Sequence, residues 1–293
     1  MIGNTQIMDN IFKYDVPLKS YTSFKIGGVA EILAEPGNVS ELREVLRFCK
    51  DEKKKIFVLG NGSNVLINDD GIQGVVIRVG GENFKKIKRE GNHIYSQAGV
   101  NLSHLIRKTA SWGLGGLETL VGIPGTVGGA VIMNAGGKHG TLSDTLRCIT
   151  TMDYGGEINN YNCEDIGFTY RGCNLKERII IEAEFILKKS EKEDILERMD
   201  KMYKEKEERQ PLHLSTMGCI FKNTEQHNAA ELIDKAGLKG LKVGGAVVSR
   251  LHANFVVNNG NASNEDMQKL IDIVKDAVKE EFNVTLRSEI HLW

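Results

Sequence analysis

The chain of 293 residues has only 4 prolines, and its 38 basic residues so nearly match its 39 acidic ones that the formal net charge is −1. That balance excludes a broad electrostatic footprint for nucleic acid or an anionic membrane. No apolar run approaches the ~18 residues of a membrane span, and the N-terminal stretch, broken by Asn4, Asp9, Asn10 and Lys13, has no signal-peptide core. The five cysteines, Cys49, Cys148, Cys163, Cys173 and Cys219, are odd in number and form no C-x-x-C. They argue against a zinc ribbon and a disulfide framework and for a reducing compartment. A cytoplasmic protein is expected, and a monomer, since no heptad pattern or conspicuous apolar patch is visible.

What is plentiful is glycine: 32 residues, where average usage gives about 20. Ten of them fall between Gly113 and Gly140. With 41% apolar residues there is ample core material, and the length calls for two or three domains.

The first organised stretch is an amphipathic helix, with Leu42, Val45, Leu46 and Cys49 at i, i+3, i+4, i+7, Asn38 placed to cap and Glu41 three residues on. The run Ile56–Leu59 reads as a strand covered on both faces and ends in Gly60-Asn61-Gly62-Ser63-Asn64. Strands at 65–67 and 75–79 complete a first α/β domain, 1–79. A larger mixed domain, 80–204, carries a strand near 94–98, a helix from about Leu102 to Trp112, a hairpin across Gly155-Gly156 and a strand at 179–187. Residues 188–210 read as a solvated linking helix. The last domain, 205–293, has a helix around 229–235, a strand at 255–257, a strong helix from Ser263 and a final strand carrying Ser288-Glu289-Ile290.

Clustered glycines let backbone approach a ligand closely, and consecutive N–H groups in such turns make concave anion sites. Two familiar phosphate cradles fail. The lone Gly137-Lys138 pair is followed by His139, so there is no Walker loop. Gly60-x-Gly62 has Val65 where the dinucleotide fingerprint needs its third glycine. The stretch from Thr119 to Gly137 carries no charge, which suits backbone packed against something flat or anionic. Two separate glycine loops, each adjoining strands, would serve the two phosphates and the body of a dinucleotide.

Several segments together resemble one family. They are Thr22-Ser23-Phe24-Lys25-Ile26-Gly27-Gly28, Leu59-Gly60-Asn61-Gly62-Ser63-Asn64, Gly122-Ile123-Pro124-Gly125-Thr126-Val127-Gly128-Gly129, Met133-Asn134-Ala135-Gly136 and Tyr170-Arg171. Arg209-Gln210-Pro211, Gly218-Cys219-Ile220-Phe221-Lys222-Asn223, His252-Ala253-Asn254-Phe255 and Ser288-Glu289 continue the series, in family order across nearly the whole chain. The chain is similar to the UDP-N-acetylenolpyruvoylglucosamine reductase family. The resemblance implies an α+β fold, with two domains of the vanillyl-alcohol-oxidase type clasping FAD and a third α/β domain binding substrate. It also implies NADPH as reductant and reduction of UDP-N-acetylglucosamine enolpyruvate to UDP-N-acetylmuramate for peptidoglycan, hence a place in cell-wall biogenesis, cell shape and cell division.

By that resemblance Gly60, Asn61, Gly62, Ser63 and Asn64, with Gly122, Ile123, Pro124, Gly125, Thr126, Gly128, Gly129, Ala130 and Asn134, contact the FAD. Arg171 binds the enolpyruvyl carboxylate, Cys219 gives the proton where the family usually has serine, and Glu289 helps polarise the carboxylate. Tyr170, Arg209, Lys222 and Asn223 contact substrate, and His252 and Asn254 are further candidates. No metal is implied. Taken alone, Arg171 would be a surface arginine, Cys219 a buried small hydrophobe and Glu289 a charge on the exposed side of a strand. Thr224 stands where the family more often has proline, and the absence of an added tyrosine-bearing loop points to the shorter of two architectural classes. A flavin oxidase and a non-catalytic nucleotide-binding module are the competing readings.

Overall fold

The computed structural model describes residues 11–293. The stretch through Asn10, read above for a signal-peptide core, lies outside the described residues. Two compact units are interleaved along the sequence: one takes the described residues through Val16, with Glu31–Asn61 and Gln73–Lys204, the other Pro17–Ala30, Gly62–Ile72 and Glu205–Trp293. Sequence order alone assigned 17–30 and 62–72 to a domain 1–79; in the structure they group with the C-terminal residues.

The first unit is built on two sheets. Four strands run in the order Phe12–Pro17, Val29–Ala34, Ile72–Arg78, Ile56–Leu59, the last two parallel with Ile56 opposite Val75. The run Ile56–Leu59 is therefore an edge strand with three half-buried residues, whereas the inner strand carries fully buried Val75, Val76 and Ile77. Its continuous apolar face reflects one covered side and a sheet edge. The helix Val39–Asp51 buries Leu42, Val45, Leu46 and Cys49, and the Asn38 side chain accepts from Glu41 N–H at 3.0 Å, satisfying an amide that the first turn leaves open.

The second sheet is antiparallel throughout, in the order Ile158–Asn162, Leu146–Asp153, Arg178–Ile186, His93–Gln97, Ile87–Glu90. The helix Leu102–Ser111 ends before Gly113, whose φ of +66° is the left-handed geometry that favours glycine at a helix stop. The helix Lys192–Glu207, read as a solvated linker with apolar residues at helical spacing, buries two of them, Ile195 and Met199, and its Arg198 donates twice to the buried Glu118 carboxylate, at 3.0 and 3.2 Å.

The second unit has its own core around Met267, Leu270, Ile271, Val274 and Val278 of the helix Asn264–Phe282. Ser263 caps that helix by accepting from Asp266 N–H at 3.0 Å. An antiparallel sheet joins Lys242–Val243, Ala246–Val248 and Val256–Asn258. Val65–Leu66 pairs in parallel with His291–Leu292, and Asn68 N–H donates to Trp293 O at 2.9 Å, so the last residues are fastened by backbone bonds.

Candidate active site

Within the first unit a cavity of about 350 Å3 is lined by Gly60, Asn61, Arg78, Val79, Gly80, Lys85, Gly99, Val100, Asn101, His104 and Thr126. Its size falls in the range of about 300–1,000 Å3 common for ligand and cofactor pockets. One wall is the turn entering Val127–Ile132, a helix that sequence reading took for loop. Val-Gly-Gly is a poor helical start, yet Val127 N–H donates to Val100 O and Gly128 N–H to Ala98 O, each at 2.9 Å, while the Thr126 hydroxyl accepts from Gly129 N–H at 3.3 Å. Tertiary partners supply what propensity does not. A Cβ on Gly60 would stand 2.8 Å from Thr126 Oγ1, so only glycine lets these walls approach this closely.

The wall is polar at Asn61, Asn101 and Thr126 and cationic at Arg78 and Lys85. Arg78 donates to Glu35 at 3.0 Å; burial opposes ionisation of Glu35, but the bonds from Lys13 and Arg78 outweigh it and hold its carboxyl below the usual range. Sequence reading assigned Gly60, Asn61 and Thr126 here and missed Arg78, Lys85, Asn101 and His104. These lie on different elements, and no local motif joins them.

Along the same glycine-rich stretch, Gly122 and Gly125 take φ of +79° and +142°. Ile123 is half-buried, Pro124 and Gly129 are exposed, and Ala130 is buried beside buried Gly128. Asn134 is 8% exposed; its Nδ2 donates to Thr169 O at 3.4 Å and its Oδ1 accepts from Ser143 N–H at 3.3 Å. Thr169 N–H in turn donates to Gly172 O at 2.9 Å, closing a tight loop that carries Tyr170 and Arg171. Arg171 sits at φ +60°, a left-handed conformation costing a residue with a Cβ about 1–2 kcal/mol. Its guanidinium carbon lies 5.0 Å from the Tyr170 ring centre, and Tyr170 is 51% exposed.

In the second unit Gly62 has φ +60°, and a Cβ there would meet Tyr21 O at 2.2 Å. Ser23 braces it, donating N–H to Gly62 O at 3.0 Å, so the Thr22-Ser23 segment has a structural task that the sequence left unassigned. Half-buried Ser63 precedes Asn64, whose Nδ2 donates to Glu289 O at 3.2 Å while Asn64 O accepts from His291 N–H at 3.0 Å. Asn64 thus ties the end of the glycine loop to the segment carrying Glu289.

Cys219 and Glu289 are brought onto neighbouring backbone segments. Cys219 lies opposite Phe255 and Phe221 opposite Ser288; Glu289 N–H donates to Ile220 O at 2.7 Å and Lys222 N–H to Arg287 O at 2.8 Å. Both side chains are half-buried. Arg209 is exposed, Lys222 half-buried, and Asn223 exposed with its Oδ1 accepting from Ala229 N–H at 3.0 Å. His252 Nδ1 accepts from Asn254 N–H at 3.3 Å, and burial, then the charge of Lys239, lowers its pKa below the ordinary 6.5. Among the other cysteines, burial pushes Cys49 up to about 11, and burial with the Glu184 carboxylate does the same for Cys148. Burial also raises Cys163 and Cys173, so these four thiols are poor proton donors near neutrality.

A family model described as FAD binding domain matches residues 30–161, a span containing every residue that lines the cavity. The model of the UDP-N-acetylenolpyruvoylglucosamine reductase C-terminal domain matches residues 210–293. The reductase of that name from Clostridium novyi is 40% identical over 282 residues, covering 96% of this chain and 91% of the relative. That from Rickettsia prowazekii is 40% identical over 285 residues, covering 97% and 96%. The crystal structure of the reductase from Thermus caldophilus superposes with a TM-score of 0.84 at 37% identity, covering 95% of this chain and 97% of that one. This chain belongs to the UDP-N-acetylenolpyruvoylglucosamine reductase family.

Its α+β fold is the FAD-binding fold of that family, and the chain is an FAD-containing oxidoreductase that reduces the enolpyruvyl UDP-sugar in peptidoglycan synthesis. The cavity suits the cofactor on its own terms: a glycine wall that a Cβ would obstruct, amide-bearing side chains, and two cations for an anionic group. Among the described residues no group of three or more His, Cys, Asp or Glu could hold a metal ion, and no helix is long and apolar enough to cross a membrane.

Proposed function

We propose that this reductase draws its electrons from NADPH, and that Arg171, Cys219 and Glu289 divide the work on the enolpyruvyl group. Bound FAD supplies the two-electron transfer. Arg171 binds the substrate carboxylate and stabilises the negative charge that develops when one alkene carbon is reduced; its planar fork matches a carboxylate in a way that a lysine point charge does not. Cys219 transfers its S–H proton to the neighbouring carbon, the new C–H bond forming as S–H breaks, and the thiolate regains a proton from solvent. A thiol, with an ordinary pKa of about 8.5, is still protonated at neutral pH yet releases its proton far more readily than serine. Glu289 polarises the carboxylate from the segment hydrogen-bonded to that of Cys219.

Tyr170, Arg209, Lys222 and, through its Nδ2, Asn223 contact the UDP-sugar. Gly60–Asn64, Gly122–Gly125 with Thr126, and Gly128–Ala130 with Asn134 hold FAD, its charge met largely by backbone N–H groups with Arg78 and Lys85 as support. The division into FAD-holding domains 1–79 and 80–204 and a substrate domain 205–293 belongs to the same reading, as do a monomeric state, a cytoplasmic location, no nucleic-acid partner and a role in cell shape and division. The observation that carries the proposal is the 2.7 Å bond from Glu289 N–H to Ile220 O, which registers the two carboxyl-terminal candidates side by side.

The test separates the half-reactions. In Cys219→Ala, reduction of bound FAD by NADPH should proceed at the parental rate, while reoxidation by UDP-N-acetylglucosamine enolpyruvate falls by roughly 10²- to 10⁴-fold. An unchanged reoxidation rate refutes the role of Cys219.

A further inference from the structure

The segment Cys219–Lys222 is held from two sides, and one side is not ordinary strand pairing. Toward Arg287–Glu289 the bonds are backbone to backbone. On the other side the chain turns sharply: Ser249 Oγ accepts from Leu251 N–H at 3.1 Å and His252 N–H at 3.3 Å, and Phe255 N–H donates to His252 O at 2.9 Å. Beyond the Cys219–Phe255 pair and the 2.9 Å bond from Ile220 N–H to Asn254 O, no peptide among the described residues continues the ladder next to Phe221 on this side. The Asn254 side chain takes that place. Its Oδ1 accepts from Phe221 N–H at 2.9 Å and its Nδ2 donates to Phe221 O at 2.8 Å. The carboxamide thus presents one acceptor and one donor in the order a neighbouring peptide would, and it is 3% exposed.

We infer that Asn254 is a positioning residue for the proton-transfer step: by standing in for a missing strand it fixes the backbone two residues from Cys219 and, through Ile220 O, the amide of Glu289. The inference rests on the roles proposed above for Cys219 and Glu289. Asparagine suits the position because its carboxamide is the side-chain equivalent of a peptide group. Aspartate keeps the acceptor for Phe221 N–H but sets a carboxylate oxygen against Phe221 O, and alanine leaves both buried backbone groups unsatisfied.

The experiment compares Asn254→Asp, Asn254→Ala and Cys219→Ala as FAD-loaded enzymes. Reduction of bound FAD by NADPH should match the parent in all three. Reoxidation by UDP-N-acetylglucosamine enolpyruvate should slow by about 10²-fold in both Asn254 variants, the size of effect that a misplacement near 1 Å produces, with the loss in kcat and not in KM. Equal loss in both half-reactions marks Asn254 as merely structural and overturns the inference. Normal reoxidation in the Asn254 variants beside a slow Cys219→Ala overturns it while leaving the Cys219 role intact, and normal reoxidation in Cys219→Ala removes the foundation of both. Should the Asn254 variants fail to fold, hydrogen exchange on the parental enzyme decides: Phe221 N–H should exchange as slowly as the amides of the helix Asn264–Phe282, and exchange at the rate of exposed loops overturns the inference.

Discussion

Gly60→Ala is the sharpest probe of the proposed cofactor cavity, because its cost divides into two measurable parts. Gly60 is absent from the positive-φ glycines, so alanine fits its backbone, and the smaller entropy of the unfolded chain favours the variant by about 0.4–1 kcal/mol. Against that, the new methyl stands 2.8 Å from Thr126 Oγ1, which must turn away and so gives up its bond from Gly129 N–H. Losing such a helix cap costs about 1 kcal/mol. The two contributions nearly cancel, so urea unfolding of the FAD-free protein should change by less than about 1 kcal/mol.

Cofactor binding has no such offset. A methyl forced into a close-packed wall costs about 1–3 kcal/mol, which is roughly a 5- to 150-fold loss of FAD affinity in a fluorescence titration. A double-mutant cycle identifies the cause. Thr126→Ala alone removes the cap and should destabilise by about 1 kcal/mol, but added to Gly60→Ala it should cost almost nothing, because the hydroxyl has already left. Additive costs, or an FAD affinity that does not move, would refute the argument from close approach.

Gly62→Ala should behave differently, since its Cβ meets the Tyr21 backbone at 2.2 Å in a left-handed residue; a loss of more than about 2 kcal/mol in urea unfolding is expected, and a smaller loss argues against the tight turn. Arg198→Ala leaves buried Glu118 without its guanidinium, and because Arg198 is itself part-exposed the cost should be about 1–2 kcal/mol, read as a lowered thermal midpoint. His252 has a depressed pKa in the folded protein, so the unfolded chain takes up its proton first; stability should be full above pH 6.5 and decline as pH falls below it, and the decline should be shallower in His252→Gln. Arg171→Lys should retain reduction of bound FAD by NADPH and slow reoxidation by substrate, and equal rates in both half-reactions would remove Arg171 from the chemistry.

The helices were the most legible part of the fold. Asn38 caps where the local pattern placed it, the last helix begins beside Ser263 where it was read to start, and the apolar residues that recur every three to four positions from Met267 to Val278 are the ones buried. The helix Val127–Ile132 escaped notice because its residues disfavour helix and its first amides are held by Ala98 and Val100. Strand partners escaped for a related reason: Val65–Leu66 pairs with His291–Leu292, a contact that no local periodicity records.

The site divides in the same way. Sequence by itself determined which side chains are available for the proposed chemistry, because Tyr170-Arg171, Gly218–Asn223 and Ser288-Glu289 are contiguous motifs whose residue types carry their own acidity and donor geometry. Only the tertiary structure decided that Arg78, Lys85, Asn101 and His104 share a cavity with Gly60, that Asn64 belongs with the Glu289 segment, and that Asn254 completes the strand beside Phe221. Acidity and rotamer freedom belong to a residue and are written one letter at a time. A hydrogen bond between residues 33 or 225 positions apart depends on how every intervening turn closes, and it exists only once the chain has folded.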